Sequence, residues 1–189
     1  MSQKTYLFDV MSTLVYDPFY KDLPEAFDTD LRTLLAGRDR MAWVDFECGH
    51  INEAEFFQRF WGNEADGLRM KHCFMKNYAW LEGIPELLRA VREKGHRIAT
   101  ASNYPEWYEL IDAKLGLSLL VDQHFVSHQL GVRKPKPKFY LRLLSALNVH
   151  PADCVFVDDR LDNVQAAEAL GMAGHHVRPG MPLGAVLRF

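Results

Sequence analysis

The chain has 189 residues, of which 48% are hydrophobic and 25% are charged, and its formal net charge at pH 7 is -3. This length fits one domain, or one domain with a small insertion, and the hydrophobic content is enough to fill a core. The weak negative charge does not favour binding to nucleic acid or to anionic membranes. No apolar run approaches the roughly 20 residues that span a bilayer. The sequence therefore predicts neither a nucleic-acid nor a membrane partner.

The three cysteines and the first residues predict a reducing compartment. Cys48, Cys73 and Cys154 are odd in number and lack metal-type spacing, so we expect reduced, mostly buried thiols. The N-terminal residues lead directly into a predicted strand, which predicts neither a signal nor a transit peptide. We therefore expect a cytoplasmic protein, and the sequence leaves its oligomeric state open.

An apolar run at residues 6–10 predicts the first strand, and it carries one carboxylate, Asp9. A short polar turn follows it. Ligands of open α/β sheets bind at the carboxyl ends of the strands, which makes Asp9 a candidate functional residue. An aspartate that only caps a turn fits this stretch equally well.

Residues 17–82 show helical patterns and no convincing strand. Capping residues and terminating glycines predict four helices in this segment, at residues 31–35, 40–47, 53–60 and 68–78. Residues 16–80 also contain 13 of the 23 aromatic residues of the chain. Most of them are expected to form the core of a small helical insertion. A minority would line a pocket for a flat ligand, with Trp43 and Phe56 as candidates.

From residue 83 onward, predicted strands and helices alternate. The strands are predicted at residues 97–101, 123–127, 154–157 and 174–177, and the helices at 85–94, 106–114, 137–147 and 163–170. This alternation predicts right-handed crossovers and a parallel sheet. The predicted fold class is α/β, with a Rossmann-like parallel sheet in residues 1–16 and 83–189 and a helical insertion in residues 17–82.

Four polar clusters lie at or near the ends of the predicted strands. They are Asp9 with Thr13, Ser102 with Asn103, Lys134, and Asp158 and Asp159 with Asn163. A turn, a helix cap or a solvated side chain would explain each cluster alone, but not easily all four in this order. Because the carboxyl ends of parallel strands converge at one edge, we expect these side chains to meet.

This ordered set resembles the haloacid dehalogenase (HAD) superfamily, and the helical insertion resembles its cap of the C1 type. The resemblance covers residues 4–20 and 83–178. It implies that Asp9 attacks phosphorus and forms an aspartyl-phosphate, while Ser102 and Lys134 hold the phosphoryl oxygens. A carboxylate nucleophile divides one hard hydrolysis into two displacements, which depend mainly on positioning and charge neutralisation. Thr13 and Asn103 are expected to contact the substrate.

The same resemblance implies a Mg²⁺ site. Mg²⁺ prefers oxygen ligands, which Asp9, the main-chain carbonyl of Met11 and Asp159 would supply. We expect Asp158 to hold Lys134 or a metal-bound water, because adjacent side chains on a strand diverge. Asn163 is expected to contact these carboxylates without binding the metal ion itself.

Met11 departs from the superfamily pattern, which has a second aspartate at this position to protonate the leaving oxygen and later activate water. General acid–base catalysis is typically worth 10²–10⁴-fold, and methionine cannot transfer a proton. A phosphatase would need another proton donor; the candidates are His50, Glu47, His72 or a metal-bound water. The alternatives are a catalytically impaired phosphate- or nucleotide-binding protein and a metal-independent 2-haloacid dehalogenase. The pair of adjacent aspartates at 158 and 159 argues against the dehalogenase, which needs no metal.

Four longer segments resemble the chloroplast flavin mononucleotide (FMN) hydrolases of plants and their bacterial relatives. They are FDVMSTLVYDPFY (8–20), NYPEWYELIDAKLGLS (103–118), RKPKPKFYL (133–141) and FVDDRLDNVQAA (156–167). That group also carries methionine at the position of Met11, followed by an aspartate where this chain has Ser12. The resemblance implies a Mg²⁺-dependent phosphatase acting on a small phosphomonoester, with FMN as the first candidate.

Overall fold

A computed structural model describes residues 3–178 and 183–186 of the chain. Its sheet has five parallel strands in the order β3-β2-β1-β4-β5. The strands are β1 (Thr5–Phe8), β2 (Arg97–Ser102), β3 (Gln123–Val126), β4 (Cys154–Asp158) and β5 (Ala173–His176). The α/β class and the parallel sheet are thereby confirmed. In the described part of the chain, no helix combines the length and the apolar character needed to cross a membrane.

β1 lies at the centre of the sheet, and this position creates the site. The chain builds β2 and β3 on one side of β1, then crosses to build β4 and β5 on the other. Such a change of direction is the switch point at which α/β sheets bind ligands. Phe8 pairs with Val157, and the next amide, of Asp9, donates to the Val157 carbonyl at 2.8 Å. Asp9 and Asp158 therefore leave neighbouring strands side by side.

Five α-helices follow β1 within residues 17–82. They are α1 (Asp22–Ala26), α2 (Leu31–Leu35), α3 (Arg40–Glu47), α4 (Glu53–Phe56) and α5 (Glu64–Asn77). The predicted helix at 53–60 is wrong in its second half, because the chain widens into a π-helical turn, Phe57–Trp61, that ends at Gly62. α5 begins earlier than predicted, since the Asn63 side chain accepts a hydrogen bond from the Asp66 amide and caps it. α1 was not predicted.

Six further helices follow. They are α6 (Ile84–Glu93), α7 (Tyr108–Leu115), α8 (Ser127–Leu130), α9 (Pro137–Leu147), α10 (Leu161–Glu168) and α11 (Leu183–Val186). α8 was not predicted; it begins at Ser127, which the sequence pattern assigned to the end of a strand. The predicted turn at Pro179 and Gly180 lies outside the described residues.

The two faces of the sheet have separate cores. Tyr6 and Phe8 of β1 face the core that contains the aromatic side chains between β1 and α6. Leu7 faces the other core, with Phe139 of α9 and Val164 of α10. Because side chains alternate along a strand, Asp9 points to the same side as Leu7, toward the segment that precedes α9.

The helical segment is joined to the sheet at both ends and along one side. At the joint, the Tyr16 amide donates to Ala79 and the Leu81 amide donates to Leu14, at 2.9 and 3.0 Å. At the end of α3, Gly49 has φ +69°, and a Cβ there would lie 2.6 Å from the His128 carbonyl oxygen. We propose residues 17–82 as the limits of this insertion and call it the helical insertion below.

Candidate active site

A buried lysine joins two strand-end carboxylates. Lys134 Nζ lies 2.6 Å from Asp9 Oδ1 and 2.6 Å from Asp158 Oδ2, and all three side chains are buried. Burial opposes the charge of Lys134, but the two carboxylates outweigh it and raise the pKa of this lysine. Burial raises the pKa of Asp9, and Lys134 partly offsets that effect. The ammonium group therefore allows two carboxylates to lie together in the interior.

Asp158 is held on both oxygens. Oδ1 accepts from the Arg160 amide at 2.8 Å and from Asn163 Nδ2 at 3.0 Å. Oδ2 accepts from Lys134 at 2.6 Å and from Asn163 at 3.1 Å. These contacts leave Asp158 little capacity to bind anything else, and they hold the Lys134 ammonium group in place.

A divalent cation fits the carboxylates at this edge. One oxygen each of Asp9, Asp158 and Asp159 lies within 4.8 Å of the others. Since both oxygens of Asp158 are engaged, Asp9 and Asp159 are the carboxylates with free capacity. Burial and the neighbouring Asp158 raise the pKa of Asp159, a cost that a bound cation would relieve. The donor set is the all-oxygen type that Mg²⁺ prefers.

Asn103 holds the main chain of the lysine. Its Nδ2 donates to the Lys134 carbonyl at 3.0 Å, and its Oδ1 accepts from the Lys134 amide at 2.8 Å. This pair of bonds ties the end of β2 to the segment before α9. Asn103 lines the cavity, as expected for a substrate contact, but its hydrogen bonds also give it a positioning role.

The turn after β1 is compact. The Ser12 amide donates to the Val15 carbonyl, and the Leu14 amide donates to the Val10 carbonyl, both at 2.8 Å. Ser12 has φ 61°, a left-handed conformation that costs least for glycine. Met11 lies beside it and lines the cavity.

A cavity of 310 Å³ connects the strand ends to the helical insertion. This volume is at the lower end of the range for small-molecule sites, roughly 300–1,000 Å³. At the sheet edge it is lined by Asp9, Met11, Lys134 and Asp159. Its aromatic wall consists of Phe19, Tyr20, Trp43, Phe60, Phe74 and Tyr104. The cavity is therefore charged at one end and aromatic at the other.

Four predicted site residues do not line this cavity: Asp158, described above, and Phe56, Ser102 and Thr13. Phe56 is fully buried and stacks on Phe46 with ring centroids 4.8 Å apart, so its position corrects the prediction that it contacts substrate. Ser102 borders a separate cavity of 10 Å³, because strand alternation turns it to the face opposite Asp9. Thr13 is also buried. The hydroxyls of Ser102 and Thr13 have no hydrogen-bond partner among the described residues, so both retain capacity to bind a ligand.

Of the alternative proton donors, Glu47 lines the cavity, whereas His50 and His72 do not. Glu47 Oε1 lies 2.6 Å from Arg133 Nη1. Burial raises the pKa of Glu47 to about 7, although Arg133 acts in the opposite direction.

Four charged residues of the cavity were missed in the sequence. They are Asp17, Arg40, Arg133 and Arg160. Arg133 and Arg160 each adjoin a predicted cluster, so proximity was an available signal. Asp17 precedes a proline, a pattern typical of a turn, and nothing in its local sequence distinguishes a functional aspartate from a turn aspartate.

The comparisons with known proteins agree on the family. A family model described as haloacid dehalogenase-like hydrolase matches residues 3–171. The chain is 42% identical over 170 residues to flavin mononucleotide hydrolase 1, chloroplastic, of Arabidopsis thaliana, covering 89% of this chain and 69% of that protein. It is 28% identical over 166 residues to a sesquiterpene phosphatase of Aspergillus oryzae, covering 84% and 82% of the two chains.

Solved structures share the fold. A HAD family enzyme of Bacteroides thetaiotaomicron, solved with magnesium and inorganic phosphate, has a TM-score of 0.82 at 18% identity, over 99% of this chain and 100% of that one. An L-2-haloacid dehalogenase has a TM-score of 0.71 at 19% identity, over 95% and 89% of the two chains. At these identities the likeness concerns the fold alone. The family match and the Arabidopsis relative show more: this chain belongs to the haloacid dehalogenase-like hydrolases and is an enzyme of that family.

Proposed function

We propose that this enzyme is a Mg²⁺-dependent phosphatase that hydrolyses a small phosphomonoester, with FMN as the first candidate. The observation that carries the proposal is the buried Asp9–Lys134–Asp158 cluster, which opens into a cavity with an aromatic wall. Two relatives are phosphatases or hydrolases of phosphorylated compounds with large apolar groups, FMN hydrolase and sesquiterpene phosphatase. The cytoplasmic localisation stays a prediction, and the Arabidopsis relative is chloroplastic.

Asp9 is the proposed nucleophile. One of its carboxylate oxygens attacks phosphorus and forms an aspartyl-phosphate, which water then hydrolyses. Lys134 lies 2.6 Å from Asp9 and favours its ionised form, which partly offsets the rise in the pKa of Asp9 caused by burial. The same ammonium group would neutralise a phosphoryl oxygen at this point, and Asn103 fixes its main chain. Thr13 remains a proposed substrate contact, which its unpartnered hydroxyl supports. The direction of the Ser102 side chain, toward the separate cavity, does not support its proposed contact with the phosphoryl oxygens.

Asp9, the main-chain carbonyl of Met11 and Asp159 would hold Mg²⁺. When bound, the ion supplies positive charge that stabilises the phosphoryl oxygens during transfer. Asp158 stays outside this ligand set because Lys134 and Asn163 occupy its oxygens.

The aromatic wall is the proposed site of the organic group. Trp43 is packed edge-to-face against Tyr104, with ring centroids 5.9 Å apart, so its ring is held in place. Aromatic contacts contribute roughly 0.5–1.5 kcal/mol beyond the area they bury, which favours a flat ring such as isoalloxazine. Phe56 is not part of this proposal.

The test measures phosphate release from FMN and from a generic aryl phosphate, with Mg²⁺ and with EDTA. We expect Mg²⁺-dependent release from both, faster from FMN. An absence of release from either, with phosphate still bound, would identify a binding protein instead. Halide release from a 2-haloacid, unaffected by EDTA, would identify a dehalogenase.

A further inference from the structure

The proposed reaction needs a proton donor that Met11 cannot provide. The alcohol oxygen must be protonated as it leaves, and water must lose a proton when it attacks the aspartyl-phosphate. Among the described residues, no histidine lines the cavity. Its carboxylates are Asp9, Asp17, Glu47 and Asp159. These four are therefore the side-chain carboxyls that the cavity offers for proton transfer.

Three of the four have other functions. Asp9 and Asp159 belong to the carboxylate cluster that fits a metal ion. Burial raises the pKa of Glu47 to about 7, but its Oε1 is paired with the Arg133 guanidinium at 2.6 Å, a contact that protonation of Glu47 would weaken. Asp17 remains, and it forms no ion pair with any described residue.

Asp17 is held in place beside the charged end of the cavity. Its Oδ1 accepts a hydrogen bond from the Phe19 amide at 3.0 Å. The preceding residue, Tyr16, is fixed by the bond from its amide to the Ala79 carbonyl at 2.9 Å. Burial raises the pKa of Asp17 to about 6, the Phe19 amide lowers it in part, and the charge of Asp159 raises it again. Asp17 therefore lines the same cavity as Asp9 and Asp159, its Oδ1 is held by the Phe19 amide, and its carboxyl can exchange a proton near neutral pH.

We propose that Asp17 is the residue that transfers the proton in place of the missing acid at position 11. As the bond from phosphorus to Asp9 forms, the bond to the alcohol oxygen breaks. The electron pair stays on that oxygen, which takes the proton of Asp17. Water then attacks phosphorus, its proton passes to the Asp17 carboxylate, and Asp9 leaves with its electron pair. Both aspartates return to their starting states. This inference rests on the proposed phosphatase function.

The test compares Asp17→Asn with the wild type on two substrates. Asparagine keeps an oxygen for the Phe19 amide but cannot donate the proton. The leaving group of FMN is the alkoxide of riboflavin, which is poorly stabilised without a proton. The leaving group of 4-nitrophenyl phosphate is 4-nitrophenolate, a stable anion that needs little protonation. Single-turnover release of riboflavin or nitrophenol isolates the first step. We expect a loss of roughly 10²–10⁴-fold with FMN and a loss below about tenfold with the nitrophenyl ester.

Two further variants separate a proton-transfer role from a structural one. Asp17→Glu retains a carboxyl and is expected to recover part of the rate with FMN. Glu47→Gln makes the same chemical change elsewhere in the cavity and is expected to leave the ratio of the two substrates near the wild-type value. Equal losses on both substrates in Asp17→Asn, or the leaving-group-dependent loss in Glu47→Gln, would overturn the proposal. Wild-type protein inactive on both esters would overturn the proposed function itself.

Discussion

The two ends of the cavity are built differently. At the sheet edge, Asp9, Lys134 and Asp158 are buried and joined by hydrogen bonds of 2.6 Å. At the helical insertion, the lining combines aromatic rings with the charged side chains of Asp17, Arg40 and Glu47. Displacing a member of the first group leaves a buried charge without a partner, whereas an aromatic wall tolerates substitutions of similar volume. The comparison teaches that polar contacts fix the reacting end and that shape defines the substrate end.

The largest expected effect is at the nucleophile. Asp9→Asn keeps the size of the side chain but removes the attacking carboxylate, so we expect phosphate release from FMN to fall at least roughly 10⁴-fold. Steady-state release with Mg²⁺ measures it. Asp153→Asn, at the opposite edge of the sheet, is the matched control and should keep the wild-type rate. A hundredth of the wild-type rate retained in Asp9→Asn would place the nucleophile elsewhere.

The next largest expected effect is at the buried cation, Lys134. Lys134→Met leaves Asp9 and Asp158 together without their ammonium group, so the free energy of unfolding should fall by about 3–5 kcal/mol at neutral pH. Urea unfolding in EDTA measures this change. Lys136→Met alters an exposed lysine two residues away and should change stability little. Equal effects of the two substitutions would contradict a preorganised reacting end.

The third prediction concerns Glu47, a buried carboxyl on the helical insertion. It tests whether buried titrating groups are confined to the sheet edge. Its pKa is about 7 in the folded protein against an ordinary value of 4.5, so the folded state binds more protons between these values. The wild type therefore loses stability as pH rises from about 4.5 to about 7, and Glu47→Gln lacks this loss. Stability of the variant relative to wild type should rise by roughly 2–4 kcal/mol across this window, measured by urea unfolding at pH 4.5 and 8. A difference independent of pH would show that Glu47 does not titrate in this way.

The smallest effect concerns the aromatic wall. Trp43→Leu removes a ring from the cavity and should raise KM for FMN about tenfold, or roughly 1.4 kcal/mol, while KM for a small alkyl phosphate changes little. Phe56→Leu is the control, because that ring is buried outside the cavity. It should lower the melting temperature without a selective effect on KM for FMN. A matching rise in KM in both variants would mean that general loosening, rather than ring contact, sets the affinity.

The sequence predicted the sheet edge better than the wall. Asp9, Lys134 and Asp158 follow or precede recognisable elements, and the parallel register brings them together without further information. The wall depends on which side of a short helix faces the cavity. Trp43 and Phe56 are equivalent in pattern, and tertiary packing alone puts one in the cavity and the other in the core.

The positions of Ser102 and Asp17 were also not predictable from local sequence patterns. Ser102 sits at the end of a strand, where one residue of register decides which face receives its side chain. Asp17 could not be identified as a cavity residue, because an aspartate before a proline is a strong turn signal whether or not it has a chemical role. Local patterns identify strand ends well, but they do not determine the direction of a single side chain.

The contact between Gly49 and the His128 carbonyl oxygen has a consequence for how specificity can change. Gly49 follows α3, the helix that carries Trp43 and Glu47, and it leaves no room for a Cβ. A side chain at this position would press on the backbone of His128, so the end of α3 or the His128 segment would have to shift. Because Glu47 of α3 pairs with Arg133, the residue before Lys134, such a shift would reach the sheet edge as well as the aromatic wall. Position 49 is therefore a point outside the cavity at which a substitution would act on both ends of the cavity.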